Sequence, residues 1–300
     1  MKIYGKCSVF TNNLLKLIAI ITMTLDHIGL AMMLFLPNHD FYTLALVFRY
    51  IGRIAFPIYC FLIIEGMMHT RDKVNYLLRI TIMAVFMAIC YAIVGHFSGY
   101  NIMSNIFITF AISILTIILL EQKDWKKYLA ILPILYSVAG FIVGYFEMKN
   151  TGNLYGWASY FPAYLRENYE LMGTLLIVPS YFLIKYYKNS TIETCKDAGI
   201  DKETYMSSPS YKIRYNAIYI GVLATVVAIF TALKYIDPAF DLLGMSIQSY
   251  MIFAAIFILF YNHELKLKSK ALSWAFYLYY PVHLGIIYGV FYFIFMWGGV

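Results

Sequence analysis

Charge is what this 300-residue sequence has least of: Asp, Glu, Lys and Arg make up 13% of it, against 62% hydrophobic residues. A water-facing surface cannot be built from that balance, so a soluble globule is excluded. Cysteine is also scarce. The four, Cys7, Cys60, Cys90 and Cys195, show neither a CxxC pair nor Cys/His spacing, and two lie inside apolar runs. That gives no support to a disulfide framework and leaves no metal site to expect. No small-x-small cleavage site follows the first apolar run, which is also too long for a signal-peptide core, so it is expected to remain as a span. No soluble domain separates the apolar segments.

What is there is a succession of apolar segments. Each reaches the roughly 20 residues that a helix rising about 1.5 Å per residue needs to cross a hydrocarbon core of about 30 Å. The spans read from the sequence are 14–36, 44–68, 76–96, 102–120, 128–146, 171–187, 216–234, 243–261 and 272–296. The expected fold is all-α: one polytopic bundle of about nine transmembrane helices over 1–300, lipid bilayer around it and the N-terminus in the cytosol. The formal charge of +7 would suggest nucleic acid in a soluble protein, but in loops between spans it reports orientation instead, and no nucleic-acid partner is expected. Lys2, Lys6 and Lys16, then Arg71, Lys73 and Arg79, then Lys123, Lys126 and Lys127 fall on one alternating side. Lys185, Lys188, Lys196, Lys202, Lys212, Arg214, Lys266, Lys268 and Lys270 fall on the same side. Only Lys149, Arg166 and Lys234 fall on the other, and Arg49 and Arg53 lie within a span. The basic side is read as the inside.

Two connections stand out. The stretch 188–214 mixes Lys, Asp, Glu and Ser around Pro209 and reads as a solvated connector with at most a short helix. The external stretch 147–170 carries Tyr155, Trp157, Tyr160, Phe161, Tyr164 and Tyr169; it reads as an amphipathic segment at the outer leaflet, or as a lid or acceptor-binding surface.

Ionisable groups at bilayer depth cost several kcal/mol and are functional candidates by default. Asp26 and His27 sit mid-way along the first span, in TLDHIGL. Lys16 precedes His27 by eleven residues, a step that returns a helix to within about 20° of its starting azimuth and lies about 16 Å along its axis. The two should share a face, as a cationic anchor and a deeper reactive group would. In the second span, Arg49 and Arg53 are an i, i+4 pair toward the outer half and Glu65 and His69 another near the cytosolic end, with Pro57 between them expected to kink the helix. Arg53 is the natural partner for Asp26. In the last span Phe276, Tyr280 and His283 recur at helical spacing, which brings His283 near the level of His27. A lone buried His is more often structural, and a buried Asp/Arg pair can simply lock two helices. Together the groups read as a polar chamber.

LKLIAIITMTLDHIG, GRIAFPIYCFLIIEG and the closing FYLYYPVHL resemble the TraX family of membrane N-acetyltransferases, named for pilin N-terminal acetylation. Asn105, Ile106 and Phe107 at the fourth span and Tyr169 to Gly173 at the sixth are similar to its inner markers. The Lys16–His27 spacing is similar to the Arg, ten residues, His pattern of the wider acyltransferase 3 superfamily. Lys here replaces the Arg, keeping a cation but losing its planar fork. The resemblance implies a multi-pass enzyme of a bacterial cytoplasmic membrane that takes acetyl-CoA or another acyl-CoA as co-substrate and has a peptide, glycan or lipid acceptor. On that expectation His27 is general base or transient acyl carrier, Asp26 orients the chamber through Arg53, and Arg49, Arg53, Tyr280 or His283 stabilises the oxyanion. Lys16, Arg71 and Arg79 would take the cofactor phosphates, with Glu65, His69 and Asn105 as further binding residues. The rival expectation is a proton-coupled transporter or flippase, in which the same His, Asp and Glu form a relay.

Overall fold

The computed structural model describes residues 9–36, 41–98, 105–152, 165–264 and 270–297. Most of the aromatic external stretch, residues 153–164, and the basic residues Lys2, Lys6, Lys266 and Lys268 lie outside them. Among the described residues there is no strand, only two isolated bridges, Phe10 with Tyr261 and Asn105 with Glu167. The helices in chain order are α1 (Asn12–Phe35), α2 (Tyr42–Gly52), α3 (Ala55–His69), α4 (Lys73–Ser98), α5 (Ile106–Leu120), α6 (Ile131–Thr151), α7 (Glu170–Asp197), α8 (Lys202–Ser207), α9 (Pro209–Ile236), α10 (Met245–Gln248), α11 (Ala254–Leu259) and α12 (Lys270–Trp297). Among the described residues, six helical stretches are long and apolar enough to cross a membrane: Asn12–Phe35, Tyr42–His69, Lys73–His96, Trp125–Asn150, Pro209–Ile236 and Leu278–Phe295. Two shorter apolar ones, Ile106–Leu120 and Met245–Leu259, accompany them. The chain is a multi-pass membrane protein. The outer stripe of α4 shows what such a surface looks like: Leu78, Ile82, Phe86, Ile89 and Ile93 recur at helical spacing and are all exposed.

The chain forms two compact units. One comprises Met1–Tyr59, Glu203–Ile220 and Ser246–Val300, the other Cys60–Lys202 and Gly221–Met245.

In the first unit α1 packs against α2 and α12. Its N-cap Thr11 accepts from the Leu14 amide, satisfying one of the orphan donors at a helix start. Small residues set the α1/α2 distance: a side chain at Gly29 would meet the Ala45 carbonyl oxygen at 2.6 Å, and one at Gly52 would collide with Asp26. Along α12 the contacts climb in step with α1. Lys16 lies over Phe276, Thr24 bonds Tyr279, His27 meets His283, and Phe35 meets Tyr288, Tyr292 and Phe295. The first and last helices therefore run parallel.

The second span is interrupted where Pro57 acts. The helix breaks at Arg53–Ile54, where the Arg53 amide bonds Arg49 O at 3.2 Å and Tyr50 O at 3.3 Å and the Ile54 amide bonds Ile51 O at 3.2 Å. Pro57 lacks the amide that would bond the Arg53 carbonyl and its ring crowds that carbonyl, so the break lies four residues before it and Pro57 falls in the first turn of α3. Its carbonyl instead receives the Tyr219 hydroxyl at 2.6 Å. The stretch 243–261, expected as one helix, is assembled from α10, a 3-10 turn at Ser249–Phe253 and α11. The connector expected at 188–214 is largely helical, because α7 continues to Asp197 and α8 and α9 follow. Lys and Glu are good helix formers, and Thr191 and Cys195, one turn apart, give the extension a buried face.

In the second unit α5 is capped by Asn105, whose carbonyl oxygen accepts from the Phe107 amide at 3.1 Å while its NH2 donates to Ala84 O at 2.7 Å. Two groups of charges mark the opposite ends of this unit's helices. At one end Glu121 accepts from Lys73 at 2.5 Å, from Lys185 at 2.6 Å and from the Tyr181 hydroxyl at 2.7 Å. Burial raises the Glu121 carboxyl pKa, but these donors outweigh it and hold the group below the usual range. At the other end Lys149 pairs with Asp237 at 3.6 Å, Lys234 with Asp241 at 3.2 Å and Arg166 with Glu147 at 2.6 Å. The flanks of Lys73, Glu121 and Lys185 thus share one side, and those of Lys149, Arg166 and Lys234 the other, as the alternation of basic residues requires.

Candidate functional site

The polar cluster of the first unit begins with Asp26 on α1. Gly52 brings the break after α2 against it, so that both arginines of the i, i+4 pair reach one carboxylate: Arg49 Nη1 bonds Oδ2 at 2.9 Å and Arg53 Nη2 pairs with Oδ1. Arg53 also donates to Gln248 Oε1 at 3.1 Å. The expected Asp26–Arg53 pair is present, with Arg49 as a second partner. A carboxylate held this way, in the interior of an apolar bundle, fixes two helices together; loss of one partner from such a buried set costs about 3–5 kcal/mol.

One residue on, His27 turns toward α12. Its Nδ1 lies 2.9 Å from His283 Nε2, and His283 Nδ1 lies 2.8 Å from the carbonyl oxygen of Tyr279. A carbonyl only accepts, so His283 Nδ1 carries the hydrogen. With both rings neutral, His283 Nε2 then offers its lone pair to the N–H at His27 Nδ1. The basic nitrogen of His27 is consequently Nε2. The backbone of α12 sets the tautomer of a residue on α1.

Tyr279 holds this arrangement twice over. Its ring stacks on His283 at 4.8 Å between centroids and 7° between planes, and its hydroxyl lies 2.6 Å from Thr24 Oγ1. Thr24 spends its own hydrogen on Ile20 O at 2.7 Å, so Tyr279 is the donor. Tyr280 closes the other side, meeting His27 edge-on at 6.1 Å and His283 at 5.5 Å. Lys16 and His27 do share the face toward α12, with Lys16 Nζ 5.1 Å from the centre of the Phe276 ring.

The structure thus brings together Lys16, Asp26, His27, Arg49, Arg53, Tyr280 and His283 within one unit. Glu65, His69, Arg71 and Asn105 belong to the other. There Glu65 is buried, the exposed His69 sets Nδ1 2.8 Å from the Glu65 carbonyl oxygen, Arg71 and Arg79 are exposed, and both polar ends of the Asn105 amide engage backbone. The sequence pointed to neither Tyr279 nor Gln248. Gln248, an uncharged polar residue inside the span 243–261, carried the same signal of polarity at depth that marked Asp26. Tyr279 sits in the run Tyr277, Tyr279, Tyr280, where spacing alone does not single it out.

A multi-pass helical membrane protein with a histidine pair beside a doubly held carboxylate is what the fold and this cluster define. The family model of TraX protein matches residues 11–185, and the chain belongs to the TraX family. The match takes in Lys16, Asp26, His27, Arg49 and Arg53 and ends before α12. Among curated proteins, the chain is similar to the probable fimbrial assembly protein FimC, serogroup H1, of Dichelobacter nodosus, 41% identical over 71 residues. That alignment covers 24% of this chain and 27% of that protein. No solved structure matches the chain.

Proposed function

We propose that this protein moves an acetyl or other acyl group from cytosolic acyl-CoA to an amine or hydroxyl of an acceptor on the far side of a bacterial cytoplasmic membrane. The observation that carries the reading is the tautomer chain from Tyr279 O through His283 to His27, because it leaves His27 Nε2 basic inside an otherwise apolar bundle. In the transfer the acceptor nitrogen or oxygen attacks the thioester carbonyl and gives its proton to His27 Nε2; the tetrahedral intermediate then expels the CoA thiolate, which takes the proton up. Tyr280, edge-on to His27, is the candidate donor to the oxyanion, since Arg49 and Arg53 already serve Asp26. Lys16, on the same face nearer the helix start, would meet an anionic part of the CoA.

Family membership supports a membrane transfer reaction of this kind, and the similarity to a probable fimbrial assembly protein supports a pilin or other peptide N-terminus as acceptor. The parallel course of α1 and α12 supports an odd number of crossings. Six long helices do not supply that alone, and counting α5, α7 and the broken stretch Met245–Leu259 as crossings gives nine with the N-terminus inside.

The test is to incubate membranes with radiolabelled acetyl-CoA and follow the label. Wild type should transfer it to a membrane or pilin fraction, and His27→Ala should lower the rate by about 10²–10⁴-fold, the usual worth of a general base, at unchanged protein abundance. Full transfer by His27→Ala would overturn the assignment. Solute flux without acyl-CoA consumption would favour the transporter.

A further inference from the structure

The second unit holds a buried cluster that acyl transfer does not use. Arg166, almost wholly buried, bonds Glu147 of α6 at 2.6 Å and reaches Glu170 of α7 only at 3.5 Å. Gly144 makes room for that contact, since a side chain there would come within 3.2 Å of both Arg166 Nη2 and Glu170 Oε1. Glu170 itself has φ +43, a backbone conformation that non-glycine residues rarely keep. Beside it Glu167 is 4% exposed, and the Ser137 hydroxyl donates to its Oε1 at 3.0 Å. Its Oε2 is buried with no hydrogen-bond partner, as is Oε2 of Glu170.

The charges do not balance. Glu147 and Glu170 meet a single guanidinium, which its short contact commits to Glu147, and Glu167 adds a third carboxyl beside Glu170. The groups facing Glu167 are Ser137 and Tyr136 of α6, Glu170 of α7, and Thr174, whose hydroxyl bonds Ser137 at 3.1 Å. From α5 come the hydroxyls of Thr109, on the Asn168 amide, and Ser113, on Thr174. None of these brings a cation, and a hydroxyl does not repay the desolvation of a carboxylate. Nor do the described residues form a group of acidic, His or Cys side chains fit to hold a metal ion.

We propose that Glu167 is a proton-binding site: its carboxyl takes a proton from solvent on Oε2 and holds it at neutral pH, leaving the cluster with the Arg166–Glu147 pair and Glu170. The inference is independent of the acyltransferase reading. The surroundings agree with it. Burial pushes the Glu167 carboxyl up to about 8, the Ser137 hydrogen bond opposes the rise and the charge of Glu170 adds to it. Burial also pushes the Glu170 carboxyl up to about 8, with Arg166 opposing and Glu147 adding, and it is Glu167, without a guanidinium against it, that takes the first proton.

Infrared difference spectroscopy on the purified full chain tests this by following the carbonyl stretch of a protonated carboxyl as pH rises from about 6 to about 10. Wild type should lose such a band with a midpoint near about 8, and Glu167→Gln, which keeps the shape and the bond from Ser137, should lose the part that Glu167 carries. Glu170→Gln, removing the second buried carboxyl, should move the midpoint of the remaining band down while keeping the Glu167 part. A wild-type spectrum with no such band at about pH 6, or a band unchanged in Glu167→Gln, overturns the proposal. So does a band suppressed at constant pH by sodium or potassium, which would make the ligand a metal cation.

Discussion

Two buried charge clusters, one in each unit, solve the same problem in opposite ways. Around Asp26 two guanidiniums share one carboxylate; at Arg166 one guanidinium meets two carboxyl groups, with a third, Glu167, beside them. The first cluster has a surplus of donors. Asp26 is therefore tied down, and His27 and His283 are left to bond each other. The second has a surplus of acceptors, and the surplus is met by binding a proton. A buried carboxylate is thus a fastener or a titrating group according to how many cations its neighbours supply.

Taking one charged group from each cluster separates the two cases. Arg53→Met should destabilise the protein by about 3–5 kcal/mol, seen as a fall in melting temperature and abundance, because Asp26 and Gln248 each lose a buried donor. Glu167→Gln should cost nothing at neutral pH, since it removes a group whose ionisation the fold opposes. The sign follows from linkage. With a pKa raised from 4.5 to about 8, the folded chain binds more protons than the unfolded one across that range. The wild type then loses stability as pH rises from the ordinary carboxylate range to about 8, and Glu167→Gln should show a shallower slope in pH-dependent melting, the remainder belonging to Glu170, which burial also pushes up to about 8. Equal losses in the two variants would erase the distinction between the clusters.

A smaller effect is expected at Gly52. A methyl group there collides with Asp26, so Gly52→Ala should cost about 1–3 kcal/mol, typical of overpacking, and loosen the hold of both arginines. A melting temperature equal to wild type would mean that α1 and the break after α2 can separate without penalty.

Much of the first cluster was legible because polarity at depth is rare enough to be read residue by residue. Asp26, His27, Arg49, Arg53 and His283 all declare themselves within apolar runs, and helical spacing puts Lys16 on the face of His27. What spacing could not give was the second cluster. Arg166, Glu167 and Glu170 lie in the external stretch 147–170, which its aromatics assign to an amphipathic segment at the outer leaflet, where charges are ordinarily solvated. That the chain there folds inward to bond Glu147 and Ser137 depends on tertiary contacts across many residues of sequence. Pro57 was legible, because a proline disrupts the helix at the carbonyl four residues before it, and the break at Arg53–Ile54 is where that falls.

Tyr279 offers the finest probe of the first cluster, because its three contacts can be separated. Tyr279→Phe keeps the stacked ring on His283 and the backbone carbonyl that fixes its tautomer, and removes only the hydroxyl that bonds Thr24. If the hydroxyl helps hold the ring that aligns His283 with His27, labelled acetyl transfer should fall by about 2–10-fold in kcat, the worth of about 0.5–1.5 kcal/mol for one neutral hydrogen bond, with KM for acyl-CoA unchanged. Tyr279→Leu, which also removes the stack, should fall further in kcat and again spare KM. A merely structural tyrosine would instead lower abundance in both variants and leave the turnover of the surviving protein at the wild-type value. Adding Thr24→Val to Tyr279→Phe should then cost little more, because the hydroxyl that Thr24 receives is already gone, whereas fully additive losses would separate Thr24 from the alignment of the histidine pair.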